Sequence, residues 1–290
     1  MSNSGHQTLV ILAGGASSRM KNSQASQSLT DEEVKSANSQ SKSLIGLGKS
    51  KRPLLDYLLI HAKKAGYTDI YLIVGEKNEM QFKELYGSKD RGNIYNDLTI
   101  SYALQYIPEG RQKPMGTADA VTQALEQYPH LQDTTFTVCN SDNLYSVAAM
   151  NALRNTKTPN AFISYDRGGL LFSAERIARF ALVLLDSDAF LVDIIEKPAP
   201  EQVAQYEDVN GILRISMNIF KLKGSDVYPF VRDCPVHPER NEKELPHAIL
   251  NMCHALPKSL IGIPFKEHVL DLTSKDDIAI ANMLLTDFAP

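Results

Sequence analysis

The sequence predicts an α/β fold in which a mostly parallel sheet is covered by helices on both faces. Short apolar runs alternate with segments whose apolar residues recur at helical spacing, a pattern typical of parallel strands joined by helices. Residues 10–12 have no polar interruption, as expected for a strand that is buried on both faces. At 290 residues, of which 43% are hydrophobic, the chain is long enough for one large α/β domain or two smaller ones.

Residues 9–155 are expected to form the alternating part of the fold. Leu54, Leu55 and Leu58 recur at helical spacing, which predicts a helix over residues 53–65. The other predicted elements are strands at residues 9–13, 70–74, 100–105 and 135–140, and helices at residues 117–127 and 147–155. Because strands and helices alternate, the strands are expected to run mostly parallel.

Strands predominate after residue 160. Apolar runs at residues 180–185 and 190–195 flank a polar stretch, which predicts a hairpin. Further strands are predicted at residues 212–222 and 259–264, and a last helix at residues 274–285. Ser274 and Asp277 have the spacing of a capping-box variant at the start of that helix.

The composition argues against several classes of protein. A net charge of -4 disfavours a general nucleic-acid surface, which needs clustered surplus lysine and arginine. The three cysteines, Cys139, Cys234 and Cys253, match no paired zinc spacing and are expected as small buried residues in a reducing compartment. No apolar run is long enough to span a bilayer and no signal-peptide pattern is present, so we expect a cytoplasmic protein without a membrane partner.

A glycine-rich turn follows the first predicted strand. Gly14 and Gly15 allow backbone amides to approach a phosphate closely, and Ser17 and Ser18 add hydroxyl donors. Arg19 supplies a planar cationic group that suits phosphate oxygens. Taken alone, the glycines could form a simple tight turn and the arginine could be a solvated surface charge. At the carboxyl edge of an α/β sheet, a nucleotide phosphate is the expected occupant.

Residues 22–41 are rich in serine, glutamine and asparagine and contain almost no large apolar residues. Such a segment buries too little surface to offset its ordering entropy, so we expect a mobile insertion at residues 22–41. Thr30 and Glu33 have capping-box spacing, which predicts a single helical turn around Glu32 and Val34. The insertion is either a lid over bound phosphates or a neutral loop extension.

Seven short motifs follow one another between Leu9 and Leu285. They are LAGGASSRM followed by Lys42, RPLLDYLL, MGTADAV, NSDNLY, IEKP, ISMNIF and VLDLTSKDDI. In these motifs and their order the chain resembles the sugar-phosphate nucleotidylyltransferases. The resemblance implies a Rossmann-like nucleotidyltransferase fold with a mixed, mostly parallel sheet and an added β-rich sugar-binding portion. It also implies a single domain, residues 1–290, with a nucleotide-binding half at 8–158 and an acceptor-binding half at 159–290.

The implied reaction joins a nucleoside triphosphate to a sugar 1-phosphate and releases pyrophosphate. A phosphate oxygen attacks the α-phosphorus in line, so the protein has to align two anions and neutralise their charge. Arg19 is placed to bind the β- and γ-phosphates. By resemblance, Lys42 contacts the phosphates and Lys197 the incoming sugar phosphate. These three are the expected catalytic residues.

The resemblance also implies Mg²⁺ as cofactor. Asp142 follows a predicted strand at the same sheet edge as Gly14, where a carboxylate suits Mg²⁺, although such an aspartate can equally be a turn or cap residue. Its SDNLY context resembles the first magnesium ligand of the family, which also places Asp142 among the substrate-binding residues. Asp271 in VLDLT matches the second ligand. Asp276 and Asp277 are typical of an acidic first turn of a helix.

The nucleobase site implied by the family lies at the start of the helix in MGTADAV, where backbone amides can contact a flat ring. The expected nucleotide-binding residues are Leu12, Ala13, Gly14, Gly15, Gly116, Thr117 and a glutamine. Gln112 is near the expected distance for that glutamine. Arg111 competes with Gln112 for this role, and Gln105 on the preceding strand is the alternative. The identity of the nucleobase therefore stays open.

The sugar site is expected around Glu196, which would accept hydrogen bonds from hydroxyl groups. Ser216 takes the position at which many relatives carry asparagine, and Asn218 that of a customary glycine, so the identity of the sugar stays open. Asn218 is a residue type that tolerates a positive φ. The loop GASSRM favours the branch with molybdenum-cofactor guanylyltransferases and phosphocholine cytidylyltransferases.

Three hypotheses about function follow. The first is a sugar-1-phosphate nucleotidylyltransferase, and the second is a related transferase acting on a non-sugar acceptor such as an amino alcohol phosphate. The third is a non-catalytic regulator that binds a nucleotide sugar. The expected partners are a nucleoside triphosphate and a sugar 1-phosphate, and formation of a homo-oligomer is left open. A dehydrogenase is disfavoured because LAGGASSRM lacks the spaced glycines of the dinucleotide fingerprint.

Overall fold

The computed structural model describes residues 5–25, 29–196, 198–286 and 288 of the chain. Its helices are α1 (Ser18–Asn22), α2 (Asp31–Ser39), α3 (Leu54–Ala65), α4 (Glu79–Tyr86), α5 (Thr117–Gln127), α6 (Val147–Asn155), α7 (Ala174–Ile177), α8 (Gly224–Arg232), α9 (Leu245–Ala255) and α10 (Asp276–Leu284). Its strands are β1 (Thr8–Leu12), β2 (Gly46–Leu47), β3 (Arg52–Pro53), β4 (Asp69–Gly75), β5 (Asn93–Tyr95), β6 (Leu98–Gln105), β7 (Thr135–Asn140), β8 (Asn143–Leu144), β9 (Ala161–Asp166), β10 (Leu182–Leu185), β11 (Leu191–Ile195), β12 (Arg214–Lys223), β13 (Ile261–Phe265) and β14 (Leu270–Asp271). Within the described ranges, none of these helices has the length and apolar character needed to cross a bilayer.

The central sheet confirms the predicted mixed α/β architecture, with a parallel centre. Strands β7, β1, β4 and β6 pair in that order and all run parallel, so their carboxyl ends meet at one edge. Beyond β7 the sheet continues with β12, which is antiparallel to both β7 and β9. The predicted hairpin is present as β10 and β11, and it joins the sheet next to β12.

Helices cover both faces of this sheet. In β1, Ile11 packs into a cluster with Leu58 of α3 and Leu153 of α6. Val10 of the same strand points to the opposite face and packs with Val121 of α5 and Ile249 of α9. Successive side chains of a strand face opposite sides, so an uninterrupted apolar run serves both layers. The parallel strands are thereby held rigidly, with their carboxyl ends at the edge where ligands bind in such folds.

The predicted elements agree closely with the structure. Helices α5 and α6 and strand β7 have the predicted bounds, and the ends of the other predicted elements differ by at most about two residues. Strand β9 and helices α4, α8 and α9 were not predicted. Helix α8 contains Pro229, which weakens the local helical signal.

In the described part of residues 22–41, which leaves out 26–28, the helix is longer than the sequence predicts. Helix α2 has nine residues, and both hydrogen bonds of the Thr30–Glu33 capping box are present. Ala37 is fully buried in a cluster with Met20, and the Glu33 carboxylate pairs with Lys51. The expectation of a single turn is therefore wrong, because tertiary contacts stabilise a helix that its composition alone does not. The mobility of the insertion stays a prediction.

Candidate active site

A cavity of about 360 Å³ lies at the carboxyl ends of β1 and β7. Six parts of the chain line it: the loop after β1, the segment before β2, the end of β6, the start of α5 with the loop before it, the loop after β7 and the loop before α9. It brings together nine of the predicted site residues, namely Leu12, Ala13, Gly14, Gly15, Arg19, Lys42, Gly116, Thr117 and Asp142. The sheet edge that the sequence predicted as a binding site therefore carries a cavity.

The loop after β1 exposes backbone to this cavity. The Ala13 N–H donates to the Ile73 carbonyl at 2.8 Å, which fixes the start of the loop against β4. A Cβ on Gly14 would lie 2.6 Å from Gln105 Oε1, so a side chain at this position would have to displace the Gln105 amide. A Cβ on Gly15 would meet no heavy atom within 4 Å. The backbone at Gly15 is therefore open to a ligand.

Lys42 connects the glycine-rich loop to the Asp142 carboxylate. Its backbone N–H donates to Ser17 Oγ at 3.3 Å, and its Nζ pairs with Asp142 Oδ2. Ser17 adopts a left-handed conformation, with φ of 55°, immediately before α1. Arg19 is exposed in α1 and lines the same cavity. Two cations and one carboxylate thus surround the space beside the open backbone of Gly15.

Asp271 lies close to Asp142, as the proposed metal pair requires. Strand β14 pairs with β8, which places Asp271 opposite Asn143, and the Leu272 N–H donates to the Asp142 carbonyl at 2.9 Å. Burial, followed by the negative charge of Asp142, raises the pKa of Asp271 above its ordinary value. The two carboxylates therefore interact electrostatically, although Asp271 is not among the residues that line the cavity.

The two carboxylates fit a divalent cation. Oδ2 of Asp142 is paired with Lys42, and Oδ2 of Asp271 accepts a hydrogen bond from Arg176. Among the described residues, no donor contacts the Oδ1 atom of either aspartate. The same part of the chain holds no group of three or more His, Cys, Asp or Glu side chains that could bind a metal. Two free carboxylate oxygens suit Mg²⁺, which usually completes its shell with water and substrate phosphates.

The start of α5 forms the wall on which the base was expected. Gly116 has a φ of 116°, and a Cβ there would lie 2.3 Å from the Lys243 carbonyl oxygen. Gln105 lines the cavity, and its Nε2 donates to the Gly116 carbonyl at 2.9 Å. Gln112 is exposed and does not line the cavity, because it lies in an irregular loop whereas Gln105 ends β6 at the sheet edge. Of the two glutamines that the sequence left open, the structure thus places Gln105 in the cavity wall, and the glutamine that contacts the base stays a prediction.

A second cavity, of about 950 Å³, adjoins the first. The two share Leu12, Arg19, Thr117, Asn140 and Glu242 in their walls. The wall of the second cavity is otherwise built by the β10–β11 hairpin, by β12 and by the chain leading into α9. The strands that the sequence assigned to an acceptor-binding half therefore line a cavity that adjoins the first one.

Glu196 and Ser216, the two residues expected at the sugar site, both line the second cavity. The Glu196 carboxylate accepts a hydrogen bond from Arg240 Nη2 at 2.6 Å, and Ser216 Oγ accepts one from the Asn218 N–H at 3.1 Å. Asn218 has a φ of 57°, which confirms that this position takes a positive φ. The predicted residue Lys197 lies outside the described residues.

Sequence reasoning missed two arginines at the site. Arg240 lies between α8 and α9 and bridges Glu196 and Glu244 across the second cavity. Arg176 of α7 contacts Asp271 from 95 residues away along the chain. Neither had a local signal, because a partner so distant along the chain leaves no spacing pattern. Gln105 did have a local signal, because it is a polar residue at the end of an apolar strand.

Comparison with known proteins supports this assignment of the fold. The family model described as nucleotidyl transferase matches residues 8–226. Over 98% of the chain the structure is similar to a protein named as a glucose-1-phosphate thymidylyltransferase from Bacillus anthracis, solved with sucrose, with a TM-score of 0.66, 17% identity and 96% of that chain covered. Over 96% of the chain it is similar to a UDP-glucose pyrophosphorylase solved with UDP-glucose, with a TM-score of 0.66, 15% identity and 97% of that chain covered. Because the family model spans most of the sequence, this chain belongs to the nucleotidyl transferase family and is an enzyme of that class.

Proposed function

We propose that this enzyme joins a nucleoside triphosphate to a sugar 1-phosphate, giving a nucleotide sugar and pyrophosphate, with Mg²⁺ as cofactor. The observation that carries the proposal is that two cavities meet at Arg19, Thr117 and Asn140. The first contains the open backbone and the cations that a triphosphate needs, and the second contains carboxylate and hydroxyl groups. The names of the two similar structures, which mention glucose 1-phosphate and UDP-glucose, support the same substrate class.

The enzyme acts by holding two anions in line. An oxygen of the sugar phosphate forms a bond to the α-phosphorus while the bond from that phosphorus to the pyrophosphate oxygen breaks. Arg19 and the amides after Gly14 bind the β- and γ-phosphates and so stabilise the charge that develops on the leaving pyrophosphate. Lys42 contacts the phosphates from the opposite segment of the cavity. Because the attacking oxygen is already ionised, no side chain has to act as a nucleophile or base.

Asp142 and Asp271 would hold Mg²⁺ through their free Oδ1 atoms. When bound, the ion supplies positive charge to the phosphates and helps to orient them. Lys42 pairs with Asp142 in the described structure. We propose that Lys42 turns from this carboxylate to the phosphates when substrate and cation arrive together, so that the charge of the site stays balanced.

The second cavity suits a sugar better than a quaternary amine. Glu196, Glu242 and Glu244 lie in its wall and can accept hydrogen bonds from hydroxyl groups. Among its described lining residues, Phe180 is the one Phe, Tyr or Trp side chain, whereas recognition of choline commonly uses an aromatic cage. We propose that Lys197, which follows Glu196 in sequence, meets the acceptor phosphate.

Release of pyrophosphate across a panel of nucleoside triphosphates and acceptor phosphates tests this function. We expect turnover with Mg²⁺ and a sugar 1-phosphate, and none with phosphocholine. Asp142→Asn is expected to abolish pyrophosphate release while the melting temperature stays close to that of the wild type. Asp233→Asn is the matched control, because Asp233 pairs with its neighbour Arg232 at the surface and its loss should leave turnover unchanged.

Each alternative has its own outcome in this assay. Turnover with phosphocholine alone would show that the acceptor is an amino alcohol phosphate and not a sugar 1-phosphate. Tight binding of a nucleotide sugar without any turnover in the panel would identify a regulator. Unchanged turnover of Asp142→Asn would show that Asp142 holds no metal.

A further inference from the structure

Arg176 is held in place by contacts on several sides. Its Nη2 donates to Asp271 Oδ2 at 2.7 Å and to the Asp271 carbonyl at 2.9 Å. Its other terminal nitrogen, Nη1, pairs with Asp277 Oδ1. The guanidinium carbon lies 4.1 Å from the centroid of the Phe172 ring. A side chain fixed in this way can impose a position on its partner.

The partner that Arg176 orients is one of the two proposed metal ligands. Asp271 Oδ2 accepts hydrogen bonds from Arg176 and, at 2.8 Å, from Thr273 Oγ1. In the described part of the chain, Asp271 Oδ1 is left without a donor. Two donors on one oxygen fix the plane of a carboxylate and leave the other oxygen available.

Arg176 bridges two carboxylates rather than one. The ion pair with Asp277 already compensates the charge of Arg176, and Asp277 Oδ2 accepts hydrogen bonds from the N–H groups of Thr273 and Ser274. Arg176 nevertheless extends to the side chain of Asp271, which is next to Asp142. The chain from Asp277 through Arg176 to Asp271 has the form of an outer-shell support for a metal ligand.

We propose that Arg176 is a positioning residue of the cation site, which holds Asp271 so that its Oδ1 is available to a divalent cation shared with Asp142. This inference rests on the metal role of Asp142 and Asp271 in the proposed function. Loss of an outer-shell partner typically weakens metal binding by about 10- to 100-fold. Removal of a positive charge near a cation would by itself strengthen binding. A weaker affinity of the variant for the cation therefore cannot result from the removal of charge alone.

Binding of Mn²⁺ alone to the full-length protein, followed by the electron paramagnetic resonance signal of the free ion, tests the proposal. Arg176→Gln should raise the dissociation constant about tenfold or more, and Asp271→Asn should raise it similarly. In the double variant the two losses should not add, because Arg176 acts through Asp271. Arg176→Lys, which keeps the charge but not the planar fork, should give a smaller loss.

The controls separate the possible failures. Arg232→Gln removes a surface arginine that pairs with Asp233 and should leave the Mn²⁺ affinity unchanged. If Asp142→Asn binds Mn²⁺ as the wild type does, the metal site itself is wrong and the role of Arg176 falls with it. If Asp142→Asn loses binding while Arg176→Gln binds equally or more tightly, or the losses add, only the role of Arg176 is wrong. Should Arg176→Gln fail to fold by its melting curve, Arg176→Lys alone decides: an affinity equal to that of the wild type overturns the proposal.

Discussion

Gly15→Ala is expected to separate binding from stability. The φ of Gly15 is not in the left-handed region, and an added Cβ would meet no heavy atom within 4 Å. Replacing glycine by alanine under these conditions typically stabilises a protein by about 0.4–1 kcal/mol, because the unfolded chain has less conformational entropy to lose. The protein should therefore melt at the same temperature as the wild type or slightly higher.

The same methyl group should weaken the binding of a triphosphate. A phosphate oxygen that accepts a hydrogen bond from a backbone N–H lies about 2.9 Å from the nitrogen. A methyl carbon needs about 3.5–4 Å from a phosphate oxygen, so a phosphate that lies against the open face of Gly15 would be displaced from this hydrogen bond. Loss of one charge-assisted hydrogen bond costs about 1.5–3 kcal/mol, which corresponds to a fall in kcat/KM of roughly 10- to 100-fold.

Scanning fluorimetry and steady-state pyrophosphate release together measure both effects. An unchanged kcat/KM for the triphosphate in a well-folded Gly15→Ala protein would refute the placement of phosphates against this loop. Gly14→Ala is the matched comparison, because its Cβ would lie 2.6 Å from Gln105 Oε1. It should displace the Gln105 contact with Gly116, lower the melting temperature and change the preference among bases.

Two further predictions concern stability. Glu33→Gln should lower the free energy of unfolding by about 1–3 kcal/mol in urea titrations, because its carboxylate accepts hydrogen bonds from Lys51 and Asn282. Glu32→Gln, an exposed change on the same helix, is the control and should leave the free energy of unfolding unchanged. Equal stability of the two variants would contradict a stabilising role for the contacts of Glu33 with Lys51 and Asn282. The pKa of His6 is lowered to about 3 by burial and by the positive charges of Lys221 and Arg154, so the folded protein keeps this ring neutral. The free energy of unfolding should therefore decrease as the pH falls from about 6.5 toward 3, and the loss should reach about 2 kcal/mol at pH 5. His6→Gln should flatten this part of the plot of stability against pH.

The parts of the fold that could be predicted are those determined by residues close together in the sequence. The apolar run of β1 predicted that strand to within one residue at each end, and helices α5 and α6 were predicted with their observed bounds. The glycine-rich loop was predictable because Gly14 and Gly15 follow directly on a buried strand. Helix α2 was underestimated because Glu33 is bound by Asn282, a residue 249 positions away. A pairing of that kind leaves no pattern in the neighbouring sequence.

The same reason explains what the sequence left open at the site. Gln112 is near the distance expected for the base-binding glutamine, and only the end of β6 shows that the alternative, Gln105, lines the cavity. The contact of Arg240 with Glu196 joins a loop before α9 to the end of the β11 strand. The residues that we propose to bind substrate are thus easier to predict than the residues that contact them from distant parts of the chain.

The last helix links the two sides of the site. Lys275, which is 3% exposed, donates from Nζ to the carbonyls of Lys21 at 2.9 Å and Ser23 at 2.6 Å, at the end of α1. Two residues later, Asp277 holds Arg176, which in turn holds Asp271. One turn of α10 therefore supports both the helix that follows the glycine-rich loop and the second carboxylate. Because a buried lysine has to keep its partners to offset its desolvation, these two parts of the site are fixed relative to each other.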